Sequence, residues 1–244
     1  MKAWRGFGIG IALGLVFLAG YAFRSSFAQN PPRAAQAAVK LPPDIYPESF
    51  ARVPWPKKED FTSPEEIEAF DRVNNRQTPV EVGPRSLEPK GPLGPTPLRM
   101  HVPVVAENYY KSFRWIRDKA GLELRYVELA ILISARESND QYQWMEHQRT
   151  SSKVVPQATR DVVRDRKATT GLEHQDAILI QFGREMYQQP KVSSKTFAEM
   201  ERAFGRKHTM ALTLLMAHYT ANALLLHAYD QHLGPSHKPE LPIP

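Results

Sequence analysis

The chain of 244 residues contains no cysteine. Disulfides, thiolate metal ligands and thiol redox chemistry are therefore excluded in any compartment. Short site signatures are missing as well: there is no N-x-S/T sequon, no G-x-S-x-G, no P-loop and no H-E-x-x-H pair. N-glycosylation, a nucleophile elbow, a phosphate cradle and a zinc helix thus have no support. A strong charge of one sign is also lacking. The formal charge is +6, but Lys2, Arg5 and Arg24 all precede Ala28, and without them 29 basic residues face 26 acidic ones. That small excess gives no argument for an anionic polymer, and no nucleic-acid partner is expected. With 24% charged and 42% hydrophobic residues, the composition excludes a wholly disordered or polytopic membrane chain.

Proline is abundant, and its placement divides the chain. Met1 to Ala28 has the pattern of a signal peptide: Lys2 and Arg5, an apolar core from Gly6 to Phe23, then Ser26-Phe27-Ala28 as a small-x-small cleavage site. This predicts export to the periplasm or beyond. The alternative is an uncleaved inner-membrane anchor, because the apolar core is near the lower length for crossing a bilayer; the membrane is expected as a partner only in that case. From Gln29 to Met100 lie 14 of the 21 prolines, a density that opposes helices and central strands. Residues 29–90 are read as an arm or linker. Gln29 to Leu41 suits a tether, whereas Tyr46, Phe50, Trp55 and Phe61 predict that Pro42 to Met100 wraps the main body. Ser63-Pro64-Glu65-Glu66 predicts one short helix, Pro64 to Asn74, with Ser63 as its cap.

Residues 91–244 are read as one helical domain. Expected helices run over Pro103 to Ala120, Leu124 to Asn139, Gln141 to Lys153, Pro156 to about Arg164, Leu172 to Gln189, Ser194 to Phe204 and Lys207 to His232. Gly121, Gly205 and Gly234 serve as stops. No convincing alternating strand appears, so the fold class is all-α.

Within that frame, Arg125-Tyr126-Val127-Glu128-Leu129-Ala130-Ile131-Leu132 is followed by Gln141-Tyr142-Gln143-Trp144-Met145-Glu146-His147. Further on come Val192 to Phe197, Phe204-Gly205, and a last helix with Tyr219 and Asn222. This succession, over roughly residues 91 to 233, resembles the carboxymuconolactone decarboxylase family, which shares an all-α bundle with alkylhydroperoxidase D. In the redox relatives a glutamate precedes a Cys-x-x-Cys pair and a histidine. These fall on Glu128, on Asp140 and Gln143, and on His147. With both cysteines replaced, a thiol peroxidase is excluded. The resemblance implies a carbon–carbon lyase acting on a small carboxylate or lactone without metal or other cofactor. It also implies a homo-oligomer, for which the long apolar last helix offers a surface.

The residues suggest how such chemistry would be divided. Asp140, Gln143 and His147 sit at offsets of three and four, on one helix face, with Tyr142 and Trp144 to either side. Returning a proton to carbon suits histidine, whose unperturbed pKa is about 6.5, so His147 is the expected proton carrier and Glu128 its buried partner. Two plainer readings stand beside these: Glu128 in a structural ion pair with Arg125, and His147 packed between helices. Arg136 and Arg149 could grip a substrate carboxylate. Tyr219 and Asn222, one turn apart, could face the same pocket. His218, His227, His232 and Asp230 form no recognised ligand set, and no metal is expected.

Overall fold

Local punctuation sets most helix starts. The computed structural model describes residues 41–75, 93–234 and 237–243, all within the contact unit Ala37–Pro244. The leader, residues 29–40 of the tether and residues 76–92 of the arm lie outside the described residues. Those described are all-helical apart from turns and one isolated bridge, Tyr46 to Ala51. Helix α1 is Pro64–Asn74, with proline at its first position and two acids in its first turn. The Ser63 side chain makes no capping bond, so proline geometry and charge start this helix without it.

Helix α2, Pro95–Arg99, was not expected in so proline-dense a stretch. Its first proline lies where an N–H would have no partner anyway. Helices α3 (Pro103–Lys119), α4 (Leu124–Glu137), α5 (Gln141–Val154), α6 (Gln157–Arg164) and α7 (His174–Gln188) follow within two residues of expectation. Helix α4 stops short of Asn139, which takes a left-handed conformation at φ 52. Helix α8 is Ser194–Ala228, interrupted at Gly205 with φ 74 and ψ 160; the expected break is there as a kink. It ends four residues before His232, because residues 229–232 turn aside to bond with the arm. The Arg52 N–H donates to the Tyr229 carbonyl, and the His232 N–H to the Phe50 carbonyl.

Helix α4 is the core. Every residue from Tyr126 to Arg136 is buried, and α5, α6, α7 and α8 pack around it. Helix α8 is long and apolar enough to cross a membrane by length and composition, but half of its most apolar window is buried inside the fold. Leu212, Leu215 and Met216 are fully enclosed there, and core packing accounts for that apolarity.

The arm is bound at two places. Phe50, Val53 and Trp55 pack with Ala51, Leu93, Leu98, Tyr142 and Leu226 in a second small cluster, while Tyr46 is 43% exposed, against expectation. Arg72 of α1 grips Glu107 of α3 with a two-pronged contact, Nε to Oε1 at 2.9 Å and Nη2 to Oε2 at 3.0 Å, and Lys111 adds a third bond. These cations hold the Glu107 carboxyl down at about 2. A depressed pKa contributes stability that is complete above the ordinary carboxylate value and is lost as pH falls towards the folded one. The Tm gap between wild type and Glu107→Gln should therefore be full at pH 6 and close as pH approaches 2. A gap independent of pH would show that the fork carries no charge-based stabilisation.

Candidate active site

Five segments converge on one cavity of about 270 Å³. Helix α5 presents a stripe at offsets of three and four, Tyr142, Gln143, Glu146, His147 and Thr150. Helix α8 adds His218, Tyr219 and Asn222, and α3 and α2 with the turn before it supply the opposite wall. Gly94 lets that turn come close. Its φ is 97, and a Cβ there would stand 2.8 Å from Cε1 of Tyr142, so only glycine meets both demands without strain.

Glu128 and His147 meet. Nδ1 of the imidazole lies 2.9 Å from Oε2 of Glu128, and Nε2 lies 3.1 Å from the Tyr219 hydroxyl. A carboxylate only accepts, so Nδ1 carries the proton and Nε2 is the acceptor. Burial pushes the Tyr219 phenol well above its ordinary pKa; it stays protonated and donates. The result is a directed chain, Tyr219 O–H to His147 Nε2 and His147 Nδ1–H to Glu128. Glu128 is fully enclosed, and its other oxygen accepts from Nη2 of Arg117 at 3.5 Å. The plainer alternative, an ion pair of Glu128 with Arg125, does not occur. Arg125 turns the other way, to Asp176 at 3.1 and 2.8 Å and to Glu173 at 2.5 Å.

Four residues read as candidates for the substrate site lie elsewhere. Asp140 caps α5, accepting from the Gln143 N–H at 2.8 Å, and does not line the cavity. Trp144 is fully buried in the main core, because one step from Gln143 rotates a side chain about 100° to the α4 side. Arg136 donates to Asn139 Oδ1 at 2.8 Å and is absent from the lining. Arg149 is exposed. Tyr142, Gln143, Tyr219 and Asn222 do line the cavity. The Gln143 amide nitrogen donates to the Tyr219 carbonyl at 3.1 Å, while its buried oxygen has no protein partner.

The wall from α2 and α3 was not foreseen. The His218 ring is sandwiched between Phe113, with centroids 4.2 Å apart, and Tyr109, at 4.6 Å. Burial and the nearby Arg99 hold His218 down at about 3, so it is neutral at working pH. Arg99 lies 4.0 Å from the Tyr109 ring centroid and donates to Asn222 Oδ1. Burial disfavours its charge, yet a guanidinium stays protonated in proteins. Burial also raises the Glu146 carboxyl. A sequence signal existed only on the helices: Glu146 is four residues after Tyr142, and His218 four before Asn222. The other C-terminal histidines go their own ways, His227 to 3.8 Å from Asp140 and His232 to 3.2 Å from Asp230. No group of three side chains able to hold a metal ion occurs among the described residues.

Compared with known protein families, with curated proteins and with solved structures, the chain matches none. The reading of the site rests on its own geometry. That geometry joins a hydrogen-bonded Tyr–His–Glu chain, an aromatic wall and a partly buried cation in one small space, and such a space suits a small organic anion undergoing proton transfer.

Proposed function

We propose that the protein is a cofactor-free enzyme of the carboxymuconolactone decarboxylase type, a carbon–carbon lyase or proton-transfer catalyst acting on a small carboxylated or lactone-type acid. The observation that carries this reading is the bonded chain Glu128, His147, Tyr219 ending in a cavity that also contains Arg99. Loss of carbon dioxide leaves an enolate or carbanion that needs electrostatic support and then a proton on carbon. Arg99, which has no carboxylate partner among the described residues, supplies positive charge on the cavity wall. The Tyr219 hydroxyl gives its proton to that carbon and is reprotonated by the His147 imidazolium, which Glu128 stabilises; with Nε2 unprotonated the same chain runs in reverse and takes a proton from carbon.

Both ring nitrogens of His147 already have protein partners, which makes the Tyr219 hydroxyl the natural point of contact with substrate. The same occupancy favours the second reading, a binding or assembly protein that keeps the bundle without turnover. Incubating the full chain with a panel of lactones and carboxylated aromatics while monitoring carbon dioxide separates the two. Release from any member above buffer supports the lyase, and silence across the panel together with tight binding of one member supports the binding protein. We also assign export to Met1 to Ala28, with anchoring by the same segment as the alternative. Homo-oligomerisation through α8 is part of the proposal, since Met210, Leu214 and Leu224 are exposed there at helical spacing.

A further inference from the structure

We propose that Arg99 is the anchor for the carboxylate of a small planar monoanionic acid, and that the cavity takes monocarboxylates in preference to dicarboxylates. This deepens the reading of the site above and rests on that cavity being the ligand's place.

Three arginines line the cavity, and their surroundings differ. Arg114 is neutralised by Asp118 at 2.7 Å. Arg117 faces Glu128 at 3.5 Å. Arg99 has an amide and an aromatic face but no carboxylate partner among the described residues. A largely buried guanidinium without a counter-ion is costly. It is also pre-aimed, since Asn222 and Tyr109 fix it while its remaining N–H groups keep the fork geometry that a carboxylate matches. Among the described residues, Arg99 is thus the lining arginine without a carboxylate partner, in the same cavity as His147 and Tyr219.

The rest of the cavity defines the remainder of the ligand. The stacked rings of Tyr109, His218 and Phe113 give an uncharged aromatic wall, against which a conjugated or aromatic plane packs edge to face. Glu146 is among the lining residues, and Glu128 lies enclosed on the far side of the His147 ring, bonded to Nδ1. Among the described residues, the other two lining arginines already have carboxylate partners, and a second ligand carboxylate would share the cavity with Glu146, which disfavours it by like charge and desolvation. Asn222 holds Arg99 while Tyr219 holds His147. Those two residues are separated along α8 by three positions, a rise of about 4.5 Å. Both residues line the cavity, so an acid anchored at Arg99 occupies the same cavity as the Tyr219 hydroxyl. A volume of about 270 Å³ also lies just below the range of about 300–1,000 Å³ that houses drug-sized ligands, so a single ring suffices.

Isothermal titration of the full chain with benzoate, terephthalate and benzamide tests this. Benzoate should bind, with terephthalate and benzamide each weaker by about tenfold or more, equivalent to about 1.4 kcal/mol. Arg99→Met should weaken benzoate by about tenfold or more at unchanged helical content, Arg99→Lys by less, and Arg114→Met by less than about twofold. Absence of benzoate binding to wild type, terephthalate binding as tightly as benzoate, or an Arg99→Met variant that binds like wild type would each overturn the proposal. The wild-type comparison needs no variant to fold. Arg99-dependent benzoate binding without turnover of any acid would uphold the anchor and refute the catalytic reading.

Discussion

His147→Gln should lower turnover of any acid the protein processes by about 10²- to 10⁴-fold, the usual contribution of a positioned proton carrier. The glutamine amide can replace both hydrogen bonds of the imidazole, one to Glu128 and one to Tyr219. It has no titratable proton near neutral pH, so geometry is kept and chemistry is lost. The loss should fall on kcat, with KM nearly unchanged, because the charge that holds the substrate sits on Arg99 and not on the relay. Tyr219→Phe should give a comparable drop, since the phenol is the relay's outer end. A variant of His147 that keeps turnover while Tyr219→Phe loses it would place the proton donor on the tyrosine alone. Stopped-flow or steady-state assays on wild type and both variants, with circular dichroism as the fold control, decide this.

Glu128→Ala should be the most destabilising single change at the site, by about 3–5 kcal/mol. Glu128 is fully enclosed in α4 and its two oxygens face a cation and an imidazole. Removing it leaves Arg117 and His147 without their acceptor and opens a void in the most tightly packed helix of the core. For a domain of this size that corresponds to a fall in Tm of about 10 °C. Glu128→Gln, which keeps the volume and one acceptor, should cost less than half as much. Thermal denaturation of the two variants measures both. Equal Tm values for wild type and Glu128→Ala would mean that the carboxylate contributes no net stabilisation and is retained for the relay.

The helices were legible because their signals are local. Pro64 and Pro103 each announce a start within a few residues of the helix they begin, and Gly205 announces the kink, whereas Asp140, read as a site residue, proved to be a cap. Of the site, the relay could be read, since Glu128 stood out as the one carboxylate in an apolar run and His147 followed within the next helix. Which side of α5 faces the cavity could not. Periodicity groups Tyr142, Gln143, Glu146 and His147 but does not say whether Trp144 belongs inside the core or at the substrate, and packing against α4 settled that. Partners in ion pairs were similarly hidden. Arg125 is the nearer neighbour of Glu128 along the helix, yet its side chain projects towards Asp176 on α7, and the cation that reaches Glu128 is Arg117, from the preceding helix. Arg99 carried no signal at all, because it ends a proline-dense stretch read as an arm and acquires its place only through contact with Tyr109 and Asn222.

The central claim is that this cavity moves a proton to or from carbon, and proton NMR in heavy water tests it most directly. Wild-type protein is incubated in D2O with carboxylated aromatics and lactones, and the signals of C–H groups next to carboxyl or carbonyl carbons are followed. The account predicts protein-dependent loss of such a signal, or a deuterated decarboxylation product, for at least one member, with neither in His147→Gln. Exchange no faster than in buffer for every member, or equal exchange in wild type and His147→Gln, would contradict it.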